Sequence, residues 1–185
     1  EVPPVSEVEE IVESEFFLPF ANRPAHEQML AAAQRLVAGF VTDHREDLER
    51  VWETERPFEL HLDTAIVSGR ADVILDREGG VTDAMAIVDY KTGVPGDEPA
   101  PVHEHQLRIY TSAGRKEGID VRAAYLMDLK AGATHGVSVG KPELGTSEQW
   151  ATEAVSRLQS AEYVAIPEKT KCEHCDVSPL CKHGA

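Results

Sequence analysis

The chain has 185 residues, of which 42% are hydrophobic and 28% charged, which suits one globular domain with its own core. No run approaches the roughly 18 apolar residues that a membrane span needs, and residues 1–4 have no secretory-signal character, so we expect a cytoplasmic protein without membrane contact. The net charge of −15, from 18 basic and 33 acidic residues, is opposite in sign to that of most free-standing nucleic-acid-binding proteins.

The chain opens with an acidic segment, residues 1–23. Five of its glutamates lie between positions 7 and 15, and an apolar patch follows at 16–20. That patch needs a packing partner, which could belong to this domain or to a neighbouring one.

A long helix is predicted after Pro24, because proline is favoured near a helix start. Apolar residues recur at helical spacing from there to Leu48 and Trp52, so one face should be buried. We expect a polar interruption at 43–47 and the end of the helical stretch at Pro57.

The remainder of the chain alternates strand and helix patterns. Three strands are predicted at residues 58–62, 65–75 and 84–90. Gly79 and Gly80 predict a turn that makes the last two an antiparallel hairpin. Next come a helix at 102–117 closed by Gly118, strands at 123–129 and 136–139, and a helix at 147–160. This order predicts an α/β fold with a central mixed sheet flanked by helices, residues 123–129 lying parallel to part of the sheet.

Two acidic residues stand out within apolar strand patterns. Asp72 lies in Gly69-Arg70-Ala71-Asp72-Val73-Ile74, where a carboxylate is costly unless paired or bound to a cation. Asp89 and Lys91 are two residues apart, so they share a strand face. Each signal alone also fits a solvated strand-edge Asp or a structural ion pair.

Taken together, the three groups predict a cation site. A hairpin would bring Asp72 beside Asp89, and their mutual repulsion and desolvation favour a bound divalent cation. Carboxylate oxygens suit Mg²⁺ or Mn²⁺, and an adjacent Lys91 suits phosphodiester hydrolysis.

The segments GRADVIL and IVDYKTG, followed by Gln106-Leu107-Arg108-Ile109-Tyr110, resemble the three motifs of RecB-like nucleases in the PD-(D/E)xK superfamily. The resemblance implies a restriction-endonuclease-like core and a catalytic set of Asp72, Asp89, Lys91, Gln106 and Tyr110. It also implies that Asp72, Asp89 and the Tyr90 carbonyl bind Mg²⁺ or Mn²⁺, and that Lys91 positions or activates water. Gln106 and Tyr110 would steady the site or the DNA strand.

A cysteine-rich tail at 165–185 contains Cys172, Cys175 and Cys181, a spacing that suits zinc or an iron–sulfur cluster. In the iron–sulfur members of the family, the resemblance implies, such a tail supplies three ligands of a [4Fe–4S] cluster in the intact parent protein. The fourth cysteine is absent. His174 or His183 could complete a zinc site, and three reduced thiols without metal are the alternative.

Many family members also place a metal-binding His on the opening helix. His26 and His44 are the candidates, but neither stands in a Gly-x-x-x-His context, and His26 equally suits a helix cap or a solvent-facing position. We expect that one upstream segment carries both the family His and the missing cysteine.

Residues 1–185 are therefore interpreted as a single RecB-like nuclease domain. We expect it to cleave DNA, exonucleolytically on single strands, with a UvrD/Rep-type helicase in the same chain or complex, in DNA repair or recombination. Alone, the chain is expected to be weak or inactive. The alternatives are an inactive nuclease-like interaction module of a repair complex and a small zinc protein built on the cysteine tail.

Overall fold

A computed structural model gives the structure of residues 2–76, 84–91, 100–173 and 175–183, apart from the side chains of residues 170 and 171. The helices are α1 Val5–Glu15, α2 Arg23–Asp43, α3 Arg45–Leu48, α4 Pro101–Lys116, α5 Lys141–Gln159 and α6 Lys169–Glu173, with a short 3₁₀ turn at Ser178–Leu180. The strands are β1 Val51–His61, β2 Ile66–Leu75, β3 Met85–Lys91, β4 Val121–Asp128 and β5 Ala133–Val137. The predicted turn at Gly79 and Gly80 lies outside the described residues.

The chain divides into two compact units, residues 1–148 and 149–185. The first contains the whole sheet, and the second contains the cysteine-rich tail. Among the described residues, no helix is both long and apolar enough to cross a membrane.

Local signals explain where α2 and α4 begin and end. The Asn22 side chain caps α2 by accepting a hydrogen bond from the Ala25 amide at 3.0 Å, and Pro24 lies in the first turn. Pro101 opens α4, and Gly118 follows it at a φ of 90°, which glycine adopts without strain. The predicted start of the long helix near Pro24 and the predicted helix before Gly118 are confirmed.

The prediction is wrong between α2 and the first strand. Trp52 and Pro57 both lie inside β1, which begins at Val51, whereas we expected the helical stretch to reach Pro57. β1 is an edge strand, and edge strands tolerate proline because an amide on the outer side of the sheet needs no partner. The apolar spacing up to Trp52 therefore extends past the helix into a strand. The long helix α2 ends at Asp43, where the predicted polar interruption begins.

Two further helices differ from expectation. The acidic segment forms the helix α1, which packs against α2 and buries Val8. Of the apolar patch that follows, Phe16 contacts the His26 ring, whereas Phe17 and Phe20 are exposed. α5 begins at Lys141, ahead of the predicted start at Ser147.

The five strands form one mixed sheet in the order β1-β2-β3-β4-β5. β2 is antiparallel to both β1 and β3, β3 and β4 are parallel, and β5 is antiparallel to β4. This confirms the mixed α/β fold and the parallel position of β4. The α4 crossover between β3 and β4 is the kind of connection that parallel neighbours require.

Alternation along β3 separates two layers of side chains. Ala86 and Val88 belong to a core with Phe40 of α2 packed against it. Ile87 and Asp89 point to the opposite face, because successive residues of a strand alternate. α4 packs across β1, β2, β3 and β4. The sheet thus has helices on both sides, and the predicted acidic site lies on the face away from Phe40.

Candidate active site

Asp72 and Asp89 lie at the point where the pairing of β2 with β3 stops. The last paired residues there are Val73 and Val88, so Asp72 and Asp89 are the next residue of each strand. In an antiparallel pair, residues opposite each other point to the same face. The two carboxylates are therefore brought together on one face, as the sequence predicted.

Asp89 is almost completely buried, with 1% of its surface exposed. Burial raises the pKa of its carboxyl group, the Lys91 ammonium opposes that rise, and the nearby Asp72 carboxylate adds to it. The Oδ2 atom receives no well-directed hydrogen bond from a described residue. A buried carboxylate with this deficit gains from a cation.

Lys91 is the cation closest to this carboxylate in the described part of the chain. Its Nζ lies 2.5 Å from Oδ2 of Asp89, and 26% of its side chain is exposed. The ammonium group is thus in contact with the buried carboxylate and is also accessible from solvent. That position suits a group that must reach a substrate phosphate or its attacking water.

Asp72 is joined to β3 by a hydrogen bond from the backbone. The Tyr90 amide donates to Oδ2 of Asp72 at 2.7 Å. Oδ1 accepts no hydrogen bond from any described residue. Tyr90 itself points to the other face, where its ring contacts Phe40 with ring centroids 5.5 Å apart. Burial, with smaller contributions from Asp47 and Asp72, raises the pKa of Tyr90 to about 12, so its hydroxyl stays protonated.

Gln106 and Tyr110 connect α4 to β2 through two hydrogen bonds. The Gln106 side-chain amide donates to the Tyr110 hydroxyl at 3.0 Å, and the Arg70 backbone amide donates to the same hydroxyl at 3.3 Å. A side chain at Gly69 would collide with Tyr110, because a Cβ there would lie 2.5 Å from Cε1. Gly69 is therefore required for the ring to lie against the strand that carries Asp72.

The residues present fit a hard divalent cation. Two carboxylates offer oxygen ligands, and the Tyr90 carbonyl follows Asp89 directly on the strand. No group of three or more His, Cys, Asp or Glu side chains in the described ranges is placed to hold a metal ion. Mg²⁺ is commonly held by one or two carboxylates, with water and substrate phosphate oxygens completing its shell, so two carboxylates suffice.

The predicted histidine ligand is not brought to this pair. The His26 ring contacts Phe16 edge-on, at 5.2 Å between ring centroids, and His44 packs against Phe40. His103, which belongs to none of the sequence motifs, lies near enough to Asp89 for its positive charge to make a small contribution that lowers the Asp89 pKa. The usable signal was its spacing, one helical turn before Gln106.

The cysteine-rich tail lies in the second compact unit, residues 149–185. Cys172, Cys175 and Cys181 form no disulfide, and they are not gathered into a three-ligand metal cluster in the part of the tail that the structure describes. His174 lies outside the described residues, and His183 is exposed. The residues seen here do not by themselves fit an iron–sulfur or zinc centre, so those two sites stay predictions.

Comparison with known families gives the class of the protein. The family model of the PD-(D/E)XK nuclease superfamily matches residues 4–182, nearly the whole chain. The chain belongs to the PD-(D/E)XK nuclease superfamily, whose members generally use divalent cations such as Mg²⁺.

Individual relatives are distant. The chain is 28% identical over 136 residues to Gene 69 protein of Mycobacterium phage L5, and the match covers 69% of this chain but 43% of that protein. Among solved structures, it is similar to SSO0001, with a TM-score of 0.51, 15% identity and coverage of 98% of this chain and 95% of the other. A protein from Eubacterium rectale named as a candidate exonuclease gives a TM-score of 0.54, 14% identity and coverage of 95% and 71%. The two structural likenesses support the fold.

Proposed function

We propose that this chain is a divalent-cation-dependent nuclease that hydrolyses phosphodiester bonds of DNA, with Asp72, Asp89 and Lys91 as its catalytic centre. The observation that carries the proposal is the position of the three groups. Two carboxylates lie on one face at the point where the pairing of β2 with β3 stops, and the ammonium group is in contact with the buried one. Membership in the nuclease superfamily supports the same reaction class.

Each residue has a distinct task in this proposal. Asp72, Asp89 and the Tyr90 carbonyl would hold Mg²⁺ or Mn²⁺, which when bound supplies Lewis-acid stabilisation of charge on the phosphate. Lys91 holds the attacking water in line and offsets the negative charge that develops during attack. Its partial exposure lets the ammonium exchange its contact with Asp89 for one with water or phosphate.

Gln106 and Tyr110 act as positioning residues. Their linked hydrogen bonds fix α4 to the Arg70 backbone, two residues before Asp72. Fixing that segment holds the Asp72 carboxylate opposite Asp89, because Asp72 and Arg70 lie on one short stretch of β2. Loss of these hydrogen bonds would therefore weaken cation binding indirectly, by letting the Asp72 carboxylate move.

The test is Asp89→Ala, assayed on labelled single-stranded DNA with Mg²⁺ or Mn²⁺ and by calorimetric titration with Mn²⁺. We expect cleavage to fall by a factor of about 10³ or more and the Mn²⁺ heat to disappear, because the site loses its buried ligand. Asp63→Ala, an exposed carboxylate in the β1–β2 turn, should keep both. Wild-type cleavage by Asp89→Ala would refute the assignment.

We propose further that the substrate is single-stranded DNA presented by a helicase, with an exonucleolytic action in repair or recombination. The net charge of −15 supports dependence on a partner, because phosphate binding relies on lysine and arginine. The chain spans 43% of the length of the phage relative that it matches, which is compatible with function beside further protein.

An inactive interaction module is the second candidate. It is favoured by the closed contact between Lys91 and Asp89 and by the lack of a third ligand side chain among the described residues. The Mn²⁺ titration separates the two, since a docking module would give no heat that depends on Asp72 or Asp89.

A further inference from the structure

An exposed arginine stands on β2 close to the acidic pair. Arg70 precedes Asp72 by two residues, so the two side chains leave the strand on the same side, about 7 Å apart along it. The pairing of β2 with β3 ends at Val73, so neither residue has a β3 partner among the described residues. The Arg70 side chain is 64% exposed. A strand bound at Asp72 and Asp89 would therefore pass close to this arginine.

The backbone of Arg70 is held in place by α4. Its amide donates to the Tyr110 hydroxyl at 3.3 Å, and the Gln106 side chain donates to the same hydroxyl at 3.0 Å. These two side chains thus fix the strand at Arg70 itself, while its guanidinium group stays accessible from solvent. A fixed backbone that carries an exposed charged group suits a contact with a substrate.

The acidic partner of Arg70 in the described part of the chain is Glu55 of β1. Nη1 of Arg70 lies 3.8 Å from Oε2 of Glu55, which is too long for a hydrogen bond, and the Glu55 side chain is 66% exposed. An exposed ion pair of this kind contributes little to stability. A phosphate group could therefore replace the Glu55 carboxylate at low cost.

The backbone of Glu55 is in an unfavourable conformation. Its φ of 53° lies in the left-handed region, which costs free energy for a residue with a Cβ. In the register of β1 with β2, Glu55 is level with Asp72. The weak ion pair does not account for this conformation by its contribution to stability. Strained residues of this kind concentrate at functional sites.

The chemistry of the pair suits exchange with DNA. The planar guanidinium group of arginine can bind two phosphate oxygens at once, and the carboxylate of Glu55 offers it similar oxygens when no strand is present. In a chain with 33 acidic and 18 basic residues, a cation near Asp72 and Asp89 also offsets their repulsion of the phosphate backbone.

We propose that Arg70 binds a backbone phosphate of the substrate strand next to the bond positioned at Asp72 and Asp89, and that Glu55 occupies its guanidinium group until the strand displaces it. The inference rests on the proposed function, to which it adds a substrate contact and a carboxylate that competes with the substrate.

The test uses the full chain with Asp89→Asn, so that bound strands are not cut. Binding of a fluorescein-labelled oligothymidylate is measured by anisotropy over a range of NaCl concentrations. Arg70→Gln and Glu55→Gln are made singly and together. Both side chains are exposed, so the fold should tolerate the changes, and the melting temperature of each variant checks this.

The two single variants should act in opposite directions. We expect Arg70→Gln to raise Kd by about tenfold and to reduce the slope of log Kd against log salt by about 0.7, the effect of one phosphate contact. Glu55→Gln should lower Kd by about two- to fivefold, because the guanidinium group no longer has to leave a carboxylate. In the double variant this gain should disappear, since it acts through Arg70.

An unchanged Kd in Arg70→Gln would overturn the proposal, and so would a gain from Glu55→Gln that persists without Arg70. The exposed ion pair of Arg122 with Asp120 is the matched control, with 54% of each side chain exposed. It lies level with the start of β3, whereas Asp89 is near the end of that strand. Arg122→Gln and Asp120→Asn change the net charge equally and should leave Kd unaltered. Equal effects in this pair would mean that overall charge governs binding, against the proposal.

The kinetic arm separates this failure from failure of the nuclease assignment. In the chain with Asp89 intact, Arg70→Gln should raise KM for the oligonucleotide and leave kcat unchanged. Cleavage with an unaltered KM removes the Arg70 contact and keeps the nuclease. Strand binding that depends on Arg70 and Glu55, without any cleavage or Mn²⁺ binding, removes the nuclease and keeps the contact. A parent chain that neither binds nor cuts the strand overturns both.

Discussion

At the scale of single residues, the buried position of the Asp89 carboxylate lowers the free energy of unfolding when no cation is bound. Asp89 is buried, its pKa is raised mainly by burial, and Lys91 opposes that rise without cancelling it. A buried group whose charge is disfavoured persists at sites where the charge has a use. The ordinary core residues on either side, Val88 and Tyr90, have no such conflict.

We therefore expect Asp89→Asn to melt at a higher temperature than the wild type in EDTA at pH 7. The raised pKa means that the folded state takes up a proton more readily than the unfolded state, so the ionised form at high pH costs stability. As the pH falls through the Asp89 pKa, the wild type regains that stability and the difference in Tm should shrink. Calorimetric melting across pH 4–8 measures it.

A wild type that is more stable than Asp89→Asn throughout that range would contradict this sign. It would show that the ion pair with Lys91 outweighs burial. Adding Mn²⁺ should reverse the order, because only the wild type gains binding energy from the cation.

At the scale of elements, the contact between α4 and β2 depends on the absence of one side chain. The Tyr110 ring occupies the space where a Cβ of residue 69 would stand. This explains the glycine three residues before Asp72, since a larger residue would move α4 or bend the strand that supports the carboxylate.

We expect Gly69→Ala to reduce the free energy of unfolding by about 1–3 kcal/mol, the usual cost of overpacking, and to weaken Mn²⁺ binding as well. Gly145→Ala is the matched control, because a Cβ there meets nothing within 4 Å and a helix gains about 0.5–1 kcal/mol from alanine. Urea unfolding and Mn²⁺ titration measure the two effects. A Gly69→Ala protein with unchanged stability would mean that Tyr110 can move at no cost.

The sequence was sufficient for the mixed sheet, the parallel strand β4 and the meeting of Asp72 with Asp89, because strand alternation and hairpin pairing determine those positions. It was insufficient where one pattern fits two structures. Trp52 continues the helical spacing of α2, yet it belongs to an edge strand that tolerates Pro57. The proximity of His103 to Asp89 depends on how α4 packs across the sheet, which local spacing does not specify.

At the scale of the whole molecule, the charge limits how DNA can be held. A chain with 33 acidic and 18 basic residues repels a duplex over most of its surface, so binding must be local and cation-assisted.

We expect the chain alone to cut single-stranded DNA slowly and blunt duplex at least about tenfold more slowly still, with a helicase and ATP removing the difference. Gel assays on matched single-stranded and duplex substrates give the ratio. Equal rates on both substrates without a helicase would contradict the dependence on strand separation.

Both margins of the sheet are unsuited to recruiting another chain. On one side Pro57 interrupts the row of amide donors, and on the other β5 spans only Ala133–Val137 and contains Gly136. Natural proteins use prolines and short edge strands in this way to prevent edge-to-edge pairing with strands of another molecule. Concentrated solutions of the native protein should therefore be slow to form cross-β aggregates, because its edge strands do not pair readily with strands of another molecule.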